Sequence, residues 1–138
     1  LEYSQEIKKQ LERKFKLPVH IKSYDFYSFF DKGNFAKDSI LFYGKSLINN
    51  AYFSEIFGLL PRLQISYSLR DLKKKDKVRF NYLLNGKGRK YGLLRKYSGK
   101  LLNPGLIEIS PEHEEIFIKS IKKITDKFEI RKSLIMQD

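Results

Sequence analysis

Thirteen basic side chains stand within thirty-nine residues of this 138-residue chain: Arg62, Arg70, Lys73, Lys74, Lys75, Lys77, Arg79, Lys87, Arg89, Lys90, Arg95, Lys96 and Lys100. Only Asp71 and Asp76 oppose them there, so the stretch carries +11 of the net +12 and the remainder is close to neutral. Charge held this locally points to a polyanionic partner, because solubility would be served equally well by an even spread. Tyr67, Phe80, Tyr82, Tyr91 and Tyr97 are interleaved with the bases. Cations for phosphates and rings for flat bases are the two parts a nucleic-acid surface needs. The residues expected to contact the polymer are Lys73, Lys74, Lys77, Arg79, Lys87, Arg89, Lys90, Tyr91, Arg95 and Lys96. Tyr82, Tyr91 or Tyr97 would stack on unpaired bases.

Within this stretch, Asn85–Gly92 reads Asn-Gly-Lys-Gly-Arg-Lys-Tyr-Gly. Three glycines would expose backbone N–H groups while the bases between them reach phosphate oxygens. The spacing is not that of the dinucleotide fingerprint, and it follows a helix where that fingerprint follows a strand. The competing reading is a flexible basic loop whose glycines serve only its turns.

Other candidate chemistry is incomplete. Gly44-Lys45-Ser46 ends like a phosphate-binding P-loop, but Ser39 stands where the motif needs its first glycine. His20 falls in an expected strand. His113 sits among Glu112, Glu114 and Glu115 without the histidine spacing of a metal site. Asp25, Asp31 and Asp38 do not make a two-metal site. No catalytic residue, metal or cofactor is therefore expected, and the sequence leaves open whether the protein is an enzyme.

The elements that must position these residues follow from periodicity. A helix over 3–15 carries the stripe Ile7, Leu11, Phe15, and Pro18 precedes a strand over 17–22. Ser23 would cap an aromatic helix, Tyr24 to Phe30. Ile40–Tyr43 is a short buried strand or a helix end. Leu47–Leu60 reads as a helix stopped by Pro61. Then come a strand Leu63–Tyr67, a basic helix Leu69–Leu84 capped by Ser68, a turn at Gly92–Leu94, a strand Leu106–Ile109, an amphipathic helix from Pro111 to about Lys127, and a strand Glu129–Met136. The order α-β-α-β-α-β-α-β-α-β predicts an α/β or α+β fold, a mixed sheet with helices packed on it.

An apolar fraction of 41% supports a packed core. No run is long enough to span a membrane, and the N-terminus has no signal-peptide pattern. The absence of cysteine fits a cytoplasmic location. Abundant Lys and Ile would suit a thermophile. The missing initiator Met is read as the sign of a processed or truncated piece.

Residues 4–48 carry a resemblance. Leu17-Pro18-Val19-His20-Ile21, then the aromatic helix, then Ile40-Leu41-Phe42-Tyr43-Gly44 resemble the second half of archaeal minimal-type nucleotidyltransferases of the DNA polymerase beta superfamily. In that family a Gly-Ser pair and an Asp-x-Asp metal site lie upstream of this region, and neither is present here. The resemblance implies a fragment without its catalytic half or a non-catalytic relative. It divides one compact unit, 1–138, into a nucleotidyltransferase-like half, 1–61, and a basic half, 62–138.

The expected function is a nucleic-acid-binding accessory domain of a nucleotidyltransferase-like protein that contacts the phosphate backbone of DNA or RNA. One alternative is a nucleotidyltransferase or RNA-processing enzyme whose catalytic residues lie upstream or go unrecognised. Another is a protein-interaction module, or a homo-oligomer, using the aromatic cluster Tyr24–Phe30.

Overall fold

The computed structural model describes residues 2–137. The chain forms two compact units, Leu1–Lys37 and Asp38–Asp138, so the division falls well before residue 61. The physical reason is that residues 38–58 run directly into the sheet of the second unit, the 3-10 turn Phe53–Phe57 packing on its first strand.

The first unit contains α1 (Glu2–Phe15) and α2 (Phe26–Phe30). Lys16 takes φ +53 and donates its N–H to the Glu12 carbonyl, which ends α1. The expected strand at 17–22 does not form, because the described residues of this unit contain no strand to pair with it. The Val19 N–H is instead taken by the Glu12 carboxylate, at 3.1 Å. Asp25, not Ser23, caps α2. Its carboxylate accepts the Ser28 N–H at 2.8 Å and the Ser28 hydroxyl accepts the Asp25 N–H at 3.0 Å. These hydrogen bonds to Ser28 hold the Asp25 carboxyl below its usual value.

The second unit is built on a four-stranded sheet in the order β4-β5-β1-β6, where β1 is Leu59–Tyr67, β4 Lys100–Asn103, β5 Leu106–Ile109 and β6 Phe128–Met136. Every pairing is antiparallel, so the expected mixed sheet is corrected to an antiparallel one. Leu63 faces Ile109 and Ile65 faces Ile107 across the β1–β5 ladder, and these four side chains are almost completely buried. α3 (Lys37–Tyr43) contributes Phe42 to the same core, α4 (Lys74–Asn85) contributes Phe80 and Leu84, and α6 (Glu114–Lys122) contributes Phe117 and Ile121. Ile40–Tyr43 is therefore helical.

Pro61 lies inside β1 rather than before it. The Tyr67 N–H donates to the Gly105 carbonyl on the β5 side, so every second N–H back along β1 faces that way. β5 ends at Ile109, opposite Leu63, so proline's missing donor falls where no partner strand remains. The helix expected over Leu47–Leu60 is absent. Asn50 at φ +56 turns the chain back, Lys45 bridges to Tyr52, and Leu47 and Ile48 stand fully exposed at the hairpin tip. Gly58 at φ +69 then ends the 3-10 turn.

The basic helix begins at Lys74, not Leu69. Lys127 pairs with Asp71 and the Lys77 ammonium donates to the Arg70 carbonyl, at 3.2 Å for the latter, which hold residues 69–72 as a turn. α6 stops at Lys122, because the buried Thr125 hydroxyl takes the Lys127 N–H at 3.1 Å and starts a new turn. β4 has no counterpart among the expected elements.

After α4 the chain forms a hairpin, β2 (Gly86–Lys87) with β3 (Lys90–Tyr91), and then α5 (Leu93–Lys96). Gly86 has φ +90, and its N–H closes α4 on the Tyr82 carbonyl. A Cβ on Gly86 would strike the Lys90 carbonyl oxygen, and one on Gly92 the Leu84 carbonyl oxygen. Gly88, at φ +59 in the two-residue loop, meets nothing. Gly92→Ala is expected to cost about 3 kcal/mol, through backbone displacement, and Gly88→Ala only about 1 kcal/mol, through its dihedral alone. Urea unfolding of the two variants checks this; equal losses would contradict the packing described.

Candidate nucleic-acid interface

The helical repeat divides α4 into three faces. Phe80 and Leu84 point into the core. Arg79, Tyr82 and Leu83, with Gly86 just beyond, fall at spacings of three and four and form a second face. Lys75 stands one turn before Arg79 on that face. Lys74 lies on the third, away from it, while Lys77, three residues before Phe80 and seven before Leu84, stands at the edge of the first.

The second face is one wall of a cleft of about 500 Å³. The hairpin supplies Lys87, Lys90 and Tyr91, α5 supplies Leu93 and Lys96, and the end of α6 supplies Ser120, Lys123 and Ile124. The lining thus contains Arg79, Lys87, Lys90, Lys96 and Lys123 and no carboxylate. Each ion pair in the described residues lies elsewhere, so these five charges have no acidic partner among the described residues. Of the two acids in the basic stretch, Asp71 is engaged by Lys127, whose ammonium holds its carboxyl below the usual value. Asp76 lies in the first turn of α4, where the helix dipole favours it.

The aromatic rings are dressed with cations. Lys87 Nζ lies 5.1 Å from the centre of the Tyr82 ring, the Arg95 guanidinium 4.0 Å from Tyr91, and Lys96 Nζ 5.3 Å from Tyr97. Arg95 does not line the cleft. Tyr97 is corrected as a stacking candidate: its ring packs 4.9 Å from His113 and 6.1 Å from Phe117, in the core.

Of the ten residues expected from sequence, the fold gathers Arg79, Lys87, Lys90, Tyr91 and Lys96 into the cleft. Lys73 and Lys74 stand at the start of α4, Arg89 at the hairpin tip, and Arg95 against the Tyr91 ring, none of them in its lining. Lys77 has a structural task on Arg70. The three glycines do not form an N–H cradle, since Gly86 caps α4 and Gly92 is buried against it. Lys123 and Ser120 were missed because they lie outside the basic stretch. Ser120 lies in α6 and Lys123 and Ile124 in the turn just past it, at spacings of three and four, and it is tertiary packing that brings them to the cleft.

The remaining candidates are structural. Lys45 of the P-loop-like triplet binds Glu112 at 2.9 Å, and Tyr52 shares a 2.8 Å hydrogen bond with Ser110. The Tyr43 hydroxyl donates to Glu114 at 2.6 Å, and burial followed by this bond raises its pKa. His113 packs on Tyr97 and lies 3.7 Å from Glu112. Among the described residues, no three His, Cys, Asp or Glu side chains stand close enough to hold a metal ion. No helix among the described residues is long and apolar enough to cross a membrane.

The Lys45 bond holds Glu112 below its ordinary value of 4.5. A carboxylate depressed in the folded state stabilises fully above its unfolded pKa and loses that contribution as pH falls through the folded one. Thermal stability is therefore expected to fall in the acid range below 4.5, and Glu112→Gln to lower stability at neutral pH while flattening that fall. Melting temperatures of both proteins between neutral and acid pH check this; parallel curves would contradict it.

No protein-family model matches the chain, and comparison with curated proteins and with solved structures finds no match.

Proposed function

We propose that this protein is a nucleic-acid-binding module that holds the phosphate backbone in the cleft between α4, the β2–β3 hairpin, α5 and α6. The observation that carries the reading is a concave surface lined by five cations, two tyrosines and no acid. Unpaired cations around a concave wall repel one another, and that cost is offset when an anion enters. Phosphate binding releases condensed counterions, which supplies affinity independent of sequence.

The narrower form of the proposal makes the chain an accessory part of a nucleotidyltransferase-like protein. It rests on the resemblance of residues 4–48 alone, and Leu17–Ile21 lacks the strand which that resemblance implies. The proposed setting is the cytoplasm, supported by the absence of cysteine.

Binding of labelled oligonucleotides across a salt series tests the function. With about five phosphates neutralised, log K is expected to fall against log salt with a slope of about −3 to −5. Replacing Arg79, Lys90 and Lys123 by Ala should weaken binding across all sequences and reduce the slope by about 2 to 3. Lys74→Ala with Arg89→Ala, outside the cleft, should change it far less. No affinity at low salt, or a slope near zero, would overturn the proposal.

A further inference from the structure

The cleft contains more than a phosphate site requires. Tyr82 from α4 and Tyr91 from β3 line it together, and they are 41% and 64% exposed. A pure phosphate clamp has no use for two accessible rings. We infer that the cleft takes unpaired nucleotides, so that the ligand is single-stranded nucleic acid rather than duplex. This deepens the phosphate-binding reading and rests on it.

Three observations carry the inference. First, the volume of about 500 Å³ suits a nucleotide-sized group. Second, a duplex hides its base faces in its own stack, whereas an unpaired base offers a free π-face to a tyrosine. Third, Lys87, which lines the cleft, lies over the face of Tyr82, where a base would stack. An incoming nucleotide therefore exchanges one partner for another. Its base takes the Tyr82 face, and the released Lys87 ammonium moves to its phosphate. Apart from the tyrosine hydroxyls, Ser120 is the one uncharged hydrogen-bonding side chain in the lining. So little donor and acceptor pattern gives stacking without base readout, and the preference for sequence should be weak.

The test compares a single-stranded oligonucleotide with a duplex of the same length, at one salt concentration, for the intact chain and four variants. The single strand is expected to bind more tightly. Tyr82→Leu and Tyr91→Leu should each weaken single-strand binding by about 5- to 150-fold while leaving duplex binding nearly unchanged. Tyr82→Phe and Tyr91→Phe, which keep the ring, should bind the single strand like the parent. Misfolding would lower both affinities together, so the duplex serves as the internal control. Equal or tighter duplex binding, or Leu variants that keep full single-strand affinity, would overturn the inference and leave the phosphate reading standing. Binding to neither polymer would overturn the phosphate reading itself.

Discussion

The burial of one face of β1 is the constraint on which the second unit depends. Leu63 and Ile65 have no exposure to solvent, and they are covered by two helices that are far apart in sequence, α4 and α6. A fully buried aliphatic side chain contributes roughly 1.5–3 kcal/mol, so this cluster outweighs any surface ion pair of the molecule. Because Phe80 and Leu84 must meet that face, the orientation of α4 about its axis is fixed. Arg79, Tyr82 and Gly86 are then directed to the adjoining flank. The site is thus a by-product of core packing: cations with no partner of their own are held together by apolar contacts on the other side of the same helix.

The two close glycines extend this control to the hairpin. Gly86 and Gly92 let the backbones of β2, β3 and the end of α4 touch, so Lys87, Lys90 and Tyr91 sit on a braced hairpin. An N–H cradle for phosphate would need those same groups free. The backbone here supplies position and the side chains supply charge.

How much of this was legible in sequence depended on how local each cause was. β5 and β6 were readable, because alternation and turn residues mark them directly, and so was the end of α4 at Gly86. The start of α4 was not, since the Asp71–Lys127 pair that holds 69–72 out of the helix joins residues 56 apart. Leu47–Leu60 misled because apolar residues at helical spacing need not be buried: Leu47 and Ile48 are at an exposed tip. β4 was silent, as an edge strand with all four residues exposed carries no burial pattern. The cleft was half legible. Charge density along the chain located Arg79, Lys87, Lys90 and Lys96, while Lys123 arrives from another element through tertiary packing.

α6 has a consequence of its own. Glu112, Glu114 and Glu115 cluster around its beginning and share a surface with Lys119 and Lys122, while Lys123, just past its end, lines the cleft. Lys119 follows Glu115 by four residues, one turn along the helix, so these opposite charges largely offset one another. The cleft thus receives one cation from this segment, Lys123, and on the proposed reading the offset charges of the helix would add little to the field that a polyanion meets there.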